Sequence, residues 1–536
     1  PLTNGATCNC LATTRVVWDI PTLRALRTAT PQPAVCDNSG RTAWDVRPAP
    51  DGNVGTGIIL RDTSTTPHAN YLINSAGKLQ TIPNGDTYLC LAAADPVIWN
   101  VPKDKINAWT PVGAGPAGCG SPPPGGTPGA IRRVSTDSSG EQGNSDSGSG
   151  GHAWAPDGTK IAFAARASNF VPNDTNASDV FVKSLTTGVI DRISTDKDGQ
   201  QAETPSMGSG SAYPAWSPDG NRVAFSSDAN NLVPNDTNAE QDVFVKTLST
   251  GAIERVSTDS DASQLGWPSY QPLWSPDGTK IAFSTCTSSC TGQIFVKDLT
   301  SGRLVDVSTS ADGVPADRFA RGPVWSPDGT RMAFSSAATN LIPGDTSPPG
   351  RHLYIKSLTT GALDRLNTAT DGVVDAWSPD GTKIAFSSVD ELVPGDTNRF
   401  PDAFVQDLET GSVTRVSTDS SGGQAANCPS FGSGGAAWSP DGTKIAFWSD
   451  CGTLVPGVHP GCFYCLRPYV KDLKTGATEV VDTTSSGTPG NAGSSWGRTT
   501  IHWSSDGSQV SFVSSADDLV PGDTNQWDDL FVKTLP

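Results

Sequence analysis

One tryptophan returns at nearly regular intervals through most of the chain, each time in a phrase close to "AWSPDGTKIAFSS". Seven positions carry it: Trp154, Trp216, Trp274, Trp325, Trp377, Trp438 and Trp503. The spacing between successive positions varies little, so seven units follow one another without a gap. A repeat of this kind is typical of one supersecondary unit used several times in an array or a ring.

Each unit contains four short apolar segments separated by turn residues. In the second unit these segments are "YPAW", "RVAFSS", "DVFVKTL" and "AIERVS", which we name strands A to D. The Ser-Pro-Asp-Gly sequence at 217–220 predicts a tight A-to-B hairpin, because proline fixes a negative φ and glycine accepts a positive one. Four-stranded units repeated radially predict an all-β fold, a seven-bladed β-propeller.

The two ends of the repeat array complement each other. The last unit stops after its strand C at "LFVKTLP", whereas "AIRRVSTDSSG" before the first tryptophan matches strand D of the other units. We therefore predict that a strand D at about 130–136 completes the seventh blade and closes the ring, which leaves no open sheet edge at the seam.

The repeats resemble the TolB-type β-propeller family, whose blades carry the same Trp-Ser-Pro-Asp-Gly, Ile-Ala-Phe and Phe-Val-Lys-Asp-Leu pieces. The resemblance covers residues 130–536 and implies the fold. TolB itself has six blades and a different amino-terminal domain, so its periplasmic partners are not carried over, because a fold alone does not define a function.

The tryptophan repeat is absent from residues 1–112, which predict a small, mostly β module with cysteines. A Pro/Gly-rich linker at 113–129 separates this module from the propeller and is expected to act as a semi-rigid spacer. The order of the apolar runs in the module resembles a small module of secreted bacterial surface proteins, which implies an envelope or extracellular location.

Eleven cysteines favour an oxidising compartment and structural disulfides. Five lie early in the chain, at Cys8, Cys10, Cys36, Cys90 and Cys119. In the third unit Cys286 and Cys290 predict a staple across a shortened connection. In the sixth unit Cys428, Cys451, Cys462 and Cys465 predict two disulfides, with a tetrahedral zinc site as the alternative.

Charge and hydropathy exclude two kinds of partner. The formal net charge of −18 and the lack of a Lys/Arg cluster argue against nucleic acid and anionic membranes. No apolar run reaches the roughly 20 residues that a membrane helix needs, so membrane insertion is not expected. The sequence starts at Pro1 without an initiator methionine, which we interpret as a processed, exported chain.

Four units carry an acidic loop between strands B and C, as in "LVPNDTNAEQDVFVK". The polar residues of these loops are Asp174, Asn176 and Asp179; Asp236, Asn238 and Asp242; Asp396, Asn398 and Asp402; and Asp523, Asn525 and Asp529. Their oxygens would suit calcium, and the same side chains would equally cap turns by binding backbone amides. Because disulfides replace these loops in the third and sixth units, a stabilising role is favoured over catalysis.

In a four-stranded meander the D-to-A and B-to-C connections share one face, which we call the long-loop face. Binding residues are expected there, on loops held by a rigid scaffold. The candidate aromatic side chains of this face are Trp267, Trp496 and Tyr213. His152 and His502 precede the strand A tryptophan in two units that meet at the seam, so both are expected near the central channel.

The sequence contains one motif that has the form of a catalytic site. "GSSWG" at 493–497 has the form of a nucleophile elbow, but it lies in a Gly/Ser-rich connection rather than between a strand and a helix. The sequence therefore favours an exported, non-enzymatic structural or interaction protein that associates with copies of itself in a filament or surface layer, or with other envelope components. Two alternatives stay open: a carbohydrate- or protein-binding propeller, and a polysaccharide lyase or hydrolase with paired acids and an arginine at the channel mouth.

Overall fold

The computed structural model describes residues 129–536, apart from 176–177, 204–209, 287–291, 346–347, 367–370, 459–464 and 496–500, together with six short strands before residue 113. The chain divides into two compact units, Pro1–Pro124 and Gly125–Pro536. The described residues form strands, turns and bends without any α-helix, which confirms the predicted all-β class. Nowhere in the described part of the chain is there a helix long and apolar enough to cross a membrane.

The first unit contains two small sheets. One pairs β1 (Val17–Trp18) with β2 (Trp44–Asp45) in antiparallel orientation. The other contains β3 (Ile58–Asp62), β4 (Ala69–Ile73), β5 (Leu79–Thr81) and β6 (Val97–Val101), in the order β5-β4-β3-β6, with β3 and β6 parallel. The predicted linker at 113–129 and the five early cysteines lie outside the described residues, apart from Gly129.

The second unit is a ring of seven blades, each with four antiparallel strands. In chain order the strands are β7 (Ile131–Arg133); β8 (Ser147–Trp154), β9 (Lys160–Ala165), β10 (Asp179–Ser184) and β11 (Ile190–Arg192) in blade 1; β12 (Ser211–Trp216), β13 (Arg222–Ser227), β14 (Asp242–Thr247) and β15 (Ile253–Arg255) in blade 2; β16 (Ser269–Trp274), β17 (Lys280–Cys286), β18 (Gly292–Asp298) and β19 (Leu304–Asp306) in blade 3; β20 (Ala320–Trp325), β21 (Arg331–Ser336), β22 (His352–Ser357) and β23 (Leu363–Leu366) in blade 4; β24 (Gly372–Trp377), β25 (Lys383–Ser388), β26 (Asp402–Asp407) and β27 (Val413–Arg415) in blade 5; β28 (Ser433–Trp438), β29 (Lys444–Ser449), β30 (Cys465–Asp472), β31 (Thr478–Val480) and β32 (Ser494–Ser495) in blade 6; and β33 (His502–Trp503), β34 (Gln509–Ser514) and β35 (Asp529–Thr534) in blade 7. Strand β32 pairs with β30 as a short fifth strand of blade 6.

The seventh blade is completed by the strand that precedes the first blade, as predicted. Strand β7 pairs with β35 in antiparallel register, with Arg133 opposite Phe531. The Ser135 hydroxyl also donates to the Asp529 carboxylate at 2.5 Å. Blade 7 therefore contains strands from both ends of the repeat array, and β35 is paired on both sides, with β34 and with β7.

Aromatic pairs fill the centre of every blade. A phenylalanine of strand B lies against an aromatic ring of strand C, with ring centroids 5.6 to 6.3 Å apart. In blade 2 these residues are Phe225 and Phe244, both 0% exposed. Such pairs favour β structure because large rings bury much apolar area on a pleated surface.

The repeated tryptophans connect neighbouring blades. Six of the seven indole nitrogens donate to a carbonyl of the preceding inner strand over 3.0 to 3.3 Å: Trp154 to His502, Trp216 to Ala153, Trp274 to Ala215, Trp325 to Leu273, Trp377 to Val324, and Trp503 to Ala437. The Trp438 indole nitrogen has no hydrogen-bond partner among the described residues. The tryptophan that defines the repeat therefore connects neighbouring blades by a hydrogen bond. The Pro-Asp-Gly turn beside it reverses the direction of the chain.

Inner strands carry β-bulges where they approach the long-loop face. In blade 2 the register shifts between Ala212 and Ala215, and Tyr213 has a φ of 55°. Gln271 in blade 3 has a φ of 56° at the corresponding shift. A positive φ is unfavourable for residues with side chains, and bulges of this kind re-aim side chains at the rims of barrels and next to binding sites.

Candidate functional site

The acidic loop of blade 2 is organised around an arginine of strand D. The Arg255 guanidinium lies 3.3 Å from the Asp236 carboxylate and 3.8 Å from that of Asp242. The Gln264 amide, in the connection that leaves strand D, donates to the same two carboxylates at 2.7 and 2.9 Å. Ser257 donates to the second oxygen of Asp242 at 2.5 Å. Asp236 and Asp242 therefore both have partners within the fold of their own unit.

The acids and the arginine are paired in the same way in the other three units with an acidic loop, whereas the glutamine of blade 7, Gln142, accepts from Arg133 at 2.8 Å instead of donating to the carboxylates. The members of these clusters are Asp174, Asp179, Arg192 and Gln201 in blade 1; Asp396, Asp402, Arg415 and Gln424 in blade 5; and Asp523, Asp529, Arg133 and Gln142 in blade 7. The amides of Asn238, Asn398 and Asn525 donate to a backbone carbonyl of the following connection. Asn176 lies outside the described residues.

Burial controls the electrostatics of these clusters. Desolvation raises the pKa of Asp402 to about 6 and that of Asp529 to about 6, while serine hydroxyls and the arginine act in the opposite direction. Buried carboxylates of this kind are stable when they are both paired and hydrogen-bonded. The arrangement stabilises loops and supports the interpretation of the acids as structural groups.

Calcium binding at these loops stays a prediction. In each cluster a guanidinium already lies between 3.1 and 3.8 Å from both carboxylates. A calcium ion needs six to eight oxygens, so it would have to displace this cation or share the acids with it.

Blade 6 has the same pairing with its charges exchanged. Arg467 on β30 takes the register position that Asp242 has on β14, opposite the last serine of strand B. Asp482, two residues after β31, accepts from Arg467 at 2.7 Å, and the two side chains are 0% and 3% exposed. A buried ion pair of either polarity is therefore the feature that these blades share.

One predicted disulfide is present, and several other cysteines lie outside the described residues. Cys428 and Cys451 form a disulfide. Their sulfurs are consequently not thiolate ligands for zinc. Residues Cys290 and Cys462 lie outside the described residues, as does the side chain of Cys465, so the predicted Cys286 staple and the second bridge of blade 6 stay predictions.

The candidate aromatic residues occupy different places on the long-loop face. Trp267 is 40% exposed in the connection that enters blade 3. Tyr213 is half-buried on the bulge of β12. Trp496 lies outside the described residues. Trp527, which was not among the predicted residues, is 47% exposed in the acidic loop of blade 7.

A charged and aromatic cluster lies where blades 3, 4 and 5 meet on this face, and we call it the mouth cluster: Tyr270, Phe319, Arg321, Arg351 and Asp371. The Arg321 guanidinium stands 5.1 Å from the centre of the Phe319 ring. The Arg351 side chain donates to Asp371 at 2.6 Å. The charges of Arg351 and Asp371 both act on Arg321, and Tyr270 lies close to the same guanidinium. Sequence reasoning missed this cluster, although "ADRFARG" at 316–322 carries two arginines beside an inner strand.

The two seam histidines meet as the sequence indicates. The His152 and His502 rings contact edge to face, with centroids 4.8 Å apart, and His152 shares a hydrogen bond of 2.9 Å with the Ser511 hydroxyl. Burial lowers the pKa of His502 to about 4. Two neutral rings in this position pack the seam beside the channel.

Comparisons with known proteins agree with the fold. The family model of the TolB β-propeller domain matches residues 262–448, which confirms the resemblance drawn from the repeats. Dipeptidyl-peptidase 5 of Porphyromonas gingivalis is 28% identical over 166 residues, or 29% of this chain and 22% of that protein. A TolB homolog of Chlorobium luteolum is 32% identical over 149 residues, or 27% of this chain and 28% of that protein. The matches thus span about a quarter of each relative, and neither activity is transferred.

Several solved structures align with this chain at low identity. An oligogalacturonate lyase of Vibrio parahaemolyticus aligns with a TM-score of 0.47 at 14% identity, covering 76% of this chain and 92% of that one. The β-propeller domain of the trilobed protease of Pyrococcus furiosus gives 0.43 at 14%, covering 70% and 90%. TolB of Acinetobacter baumannii gives 0.36 at 17%, covering 67% and 76%. All three TM-scores lie below 0.5, so these likenesses carry no argument about this chain.

Proposed function

We propose that the protein is an exported, non-enzymatic interaction protein of the cell surface or extracellular matrix. In this proposal the propeller is a rigid platform, and partners that include further copies of the chain bind to its long-loop face. The proposal belongs to the class of surface-mediated function rather than to catalysis.

One observation carries the proposal: the charged groups of the acidic loops bind one another within the fold. Asp236, Asp242 and Arg255 are 0 to 10% exposed, and their hydrogen bonds and ion pairs hold the loop to its own blade. Such contacts leave the shape of the face fixed, which lowers the entropy that a partner must remove on binding. A rigid surface with exposed aromatic residues is the usual basis of protein recognition.

Export is supported by the disulfide between Cys428 and Cys451. Disulfides persist in oxidising compartments and are uncommon in reduced ones. The bridge joins the D-to-A and B-to-C connections of blade 6, where no acidic loop is present, so it stabilises the long-loop face of that blade.

Self-association is tested by the mass of the native protein in solution. Trp267 and Trp527 are two aromatic side chains of the long-loop face, 40% and 47% exposed. We expect light scattering to give a mass above the 55.6 kDa of one chain, and we expect Trp267→Ser with Trp527→Ser to return it to one chain. Leu473→Ser is the matched control, because Leu473 is 39% exposed in the C-to-D turn of the opposite face. A single-chain mass for the unaltered protein at every concentration would refute self-association.

Carbohydrate binding is the second candidate, favoured by the aromatic and arginine side chains of the mouth cluster. Planar rings and bidentate donors are the groups with which proteins hold sugars and their acidic substituents. A glycan that binds the propeller while its mass stays that of one chain would favour this candidate over self-association.

A further inference from the structure

The channel mouth is not symmetric around the ring, and its polar groups gather on the side of blades 3 to 5. Arg321 lies on the innermost strand of blade 4, and its register position, opposite the fifth residue of strand B, matches that of Tyr270 in blade 3. Gln271 follows on a bulge with its side chain exposed. On blade 6 the matching position is Gly434.

Two guanidinium groups are fixed at this place by different contacts. The plane of Phe319 lies below Arg321. Arg351 is held by Asp371, and the backbones of these two residues are bridged as well, with the amide of Gly372 donating to the Arg351 carbonyl at 2.8 Å. The side chains of Arg351 and Asp371 remain 27% and 44% exposed, so the ion pair is accessible from the solvent.

Two positive charges come together here in a chain whose formal net charge is −18. Arg321 and Arg351 lie near Asp371, whose backbone amide in turn donates to the Asp390 carboxylate at 3.1 Å. Burial lowers the pKa of Arg321, and the positive charge of Arg351 lowers it further, because the two cations repel each other. An anion placed between them would remove this repulsion, and a planar carboxylate matches the donor pattern of guanidinium groups.

The neighbouring side chains indicate what else the ligand carries. Tyr270 lies close to Arg321, and Gln271 follows it on the same inner strand of blade 3. Tyr213 lies on the inner strand of blade 2, and the exposed Trp267 precedes β16 by two residues. Phenol, amide and indole groups can stack on sugar rings and bind their hydroxyls. A peptide partner would instead be expected to use apolar pockets for its side chains.

We propose that the mouth cluster binds the carboxylate of an acidic sugar chain, namely a uronic-acid oligosaccharide, between Arg321 and Arg351. The aromatic residues of blades 2 and 3 then contact the neighbouring sugar rings. This inference rests on the proposal that the long-loop face is where partners bind, and it names the chemistry of one such partner.

The test uses the full chain and two probes that differ only in charge. A tetramer of mannuronic acid and its carboxyl-reduced form are titrated calorimetrically into the protein. We expect the acidic tetramer to bind at least about tenfold more tightly, because a bidentate charged contact is worth more than a neutral one. Arg321→Gln and Arg351→Gln should each weaken binding of the acidic tetramer about tenfold and leave the reduced tetramer unchanged.

Arg166→Gln is the matched control, since Arg166 is exposed on the same face but belongs to blade 1. An equal effect of this variant would show that only overall charge matters and would overturn the proposal. Equal affinity for the two tetramers, or no binding of either, would also overturn it. Displacement of the acidic tetramer by a tetra-aspartate peptide at lower concentration would assign the site to acidic peptides instead.

The failure of this inference is distinguishable from that of the proposed function. If light scattering shows self-association while neither tetramer binds, the long-loop face is an interaction surface without a sugar site. If the protein stays a single chain and the acidic tetramer binds through Arg321 and Arg351, the sugar site stands and self-association is wrong.

Discussion

The ammonium nitrogen of Lys246 in blade 2 lies 2.9 Å from the Thr195 carbonyl oxygen and 2.7 Å from that of Asp196, both in the connection that leaves blade 1. The equivalent lysines make the same contact between the other blades: Lys183, Lys297, Lys356, Lys471 and Lys533. Blade 5 has Gln406 instead. The connection that leaves blade 4 has only positions 367–371 between β23 and β24, whereas blade 2 has 256–268 between β15 and β16. The lysine is therefore replaced where the connection that it binds is shortened.

Replacing Lys246 with methionine should destabilise the propeller at one blade junction. The variant keeps the length of the side chain but leaves buried carbonyl groups without their donor, which costs about 2 kcal/mol. Scanning calorimetry would report a lower Tm. Lys197→Met is the control, because Lys197 is exposed and pairs only with Asp198, and such surface pairs contribute little. Equal Tm values for the two variants would contradict the role of Lys246.

Removing the arginine of an acidic cluster should cost more than removing a surface charge. Arg255→Leu leaves Asp236 and Asp242 buried without a cation, and the expected loss of unfolding free energy is about 3 to 5 kcal/mol. Urea denaturation followed by tryptophan fluorescence measures it. Arg303→Leu, at the edge of the C-to-D turn of blade 3, is the comparison and should leave the midpoint nearly unchanged.

The calcium prediction can be tested on the unaltered protein. With Arg255 in place, we expect the Tm to be the same in millimolar calcium and in chelator, because the guanidinium already neutralises the carboxylates. A lower Tm in chelator for the unaltered protein would show that calcium, rather than arginine alone, holds the loops.

Asp375 should make stability depend on pH. It lies on the inner strand β24, accepts a hydrogen bond of 2.6 Å from Ser387, and has its pKa raised to about 7 by burial. The folded protein thus binds this proton more tightly than the unfolded chain does. The stabilisation is complete below the unfolded value of 3.8 and is lost as pH rises towards 7.

Asp375→Asn isolates this contribution, because the amide resembles the protonated acid. The Tm of the variant relative to the unaltered protein should rise between pH 4.5 and 7.5, with a slope of up to about 1.4 kcal/mol per pH unit in unfolding free energy. The lowered pKa of His502 has the opposite effect, because it destabilises the fold as pH falls from 6.5 to about 4. Both proteins contain His502, so its contribution cancels in the difference between the variant and the unaltered protein. Asp312→Asn, at an exposed position, is the control; a pH dependence no larger for Asp375→Asn than for this control would refute the prediction.

The seam strand should be essential to the ring, whereas the first unit should not be. A chain beginning at residue 125 retains β7 and the pairing of Arg133 with Asp523 and Asp529. A chain beginning at residue 139 loses both, so two buried carboxylates lose their cation at a cost of at least about 3 kcal/mol. Limited proteolysis and calorimetry should show a stable propeller for the chain that begins at residue 125 but not for the chain that begins at residue 139. Equal stability of the two chains would mean that blade 7 does not need its borrowed strand.

Much of this fold can be predicted from the sequence, because the residues that define each blade lie close together in the chain. Turn residues and the tryptophan period define each blade within one repeat unit, and the match between 130–136 and the other D strands predicts the closure. The predicted strand A of blade 2 begins two residues late, because the bulge at Tyr213 hides the alternation of the strand before it. The alternation of apolar and polar residues therefore predicts where a strand begins, except where a bulge interrupts the strand.

The candidate site was harder to predict because its partners come from different segments. Arg351 precedes the third strand of blade 4 and Asp371 precedes the first strand of blade 5, so the two meet only through a bridge between blades. The role of Arg255 did leave a signal: an arginine stands at this place in each unit with a full acidic loop, whereas blades 3 and 6 have Asp306 and Val480 there. Aligning the repeats and looking for positions that change together would have revealed the pairing of this arginine with the acidic loop.

The exchanged polarity in blade 6 limits how freely blades can be grafted between positions or between related rings. Transplanting strand C of blade 2 into blade 6 would place an aspartate at position 467 beside Asp482, with Val480 where a guanidinium is required. Two acids would then be buried without a counter-ion, although every transplanted residue is native elsewhere in the same molecule. The exchangeable module of this ring is therefore a whole blade together with the connection that follows it, and a recombination point inside that segment would separate the two halves of an ion pair.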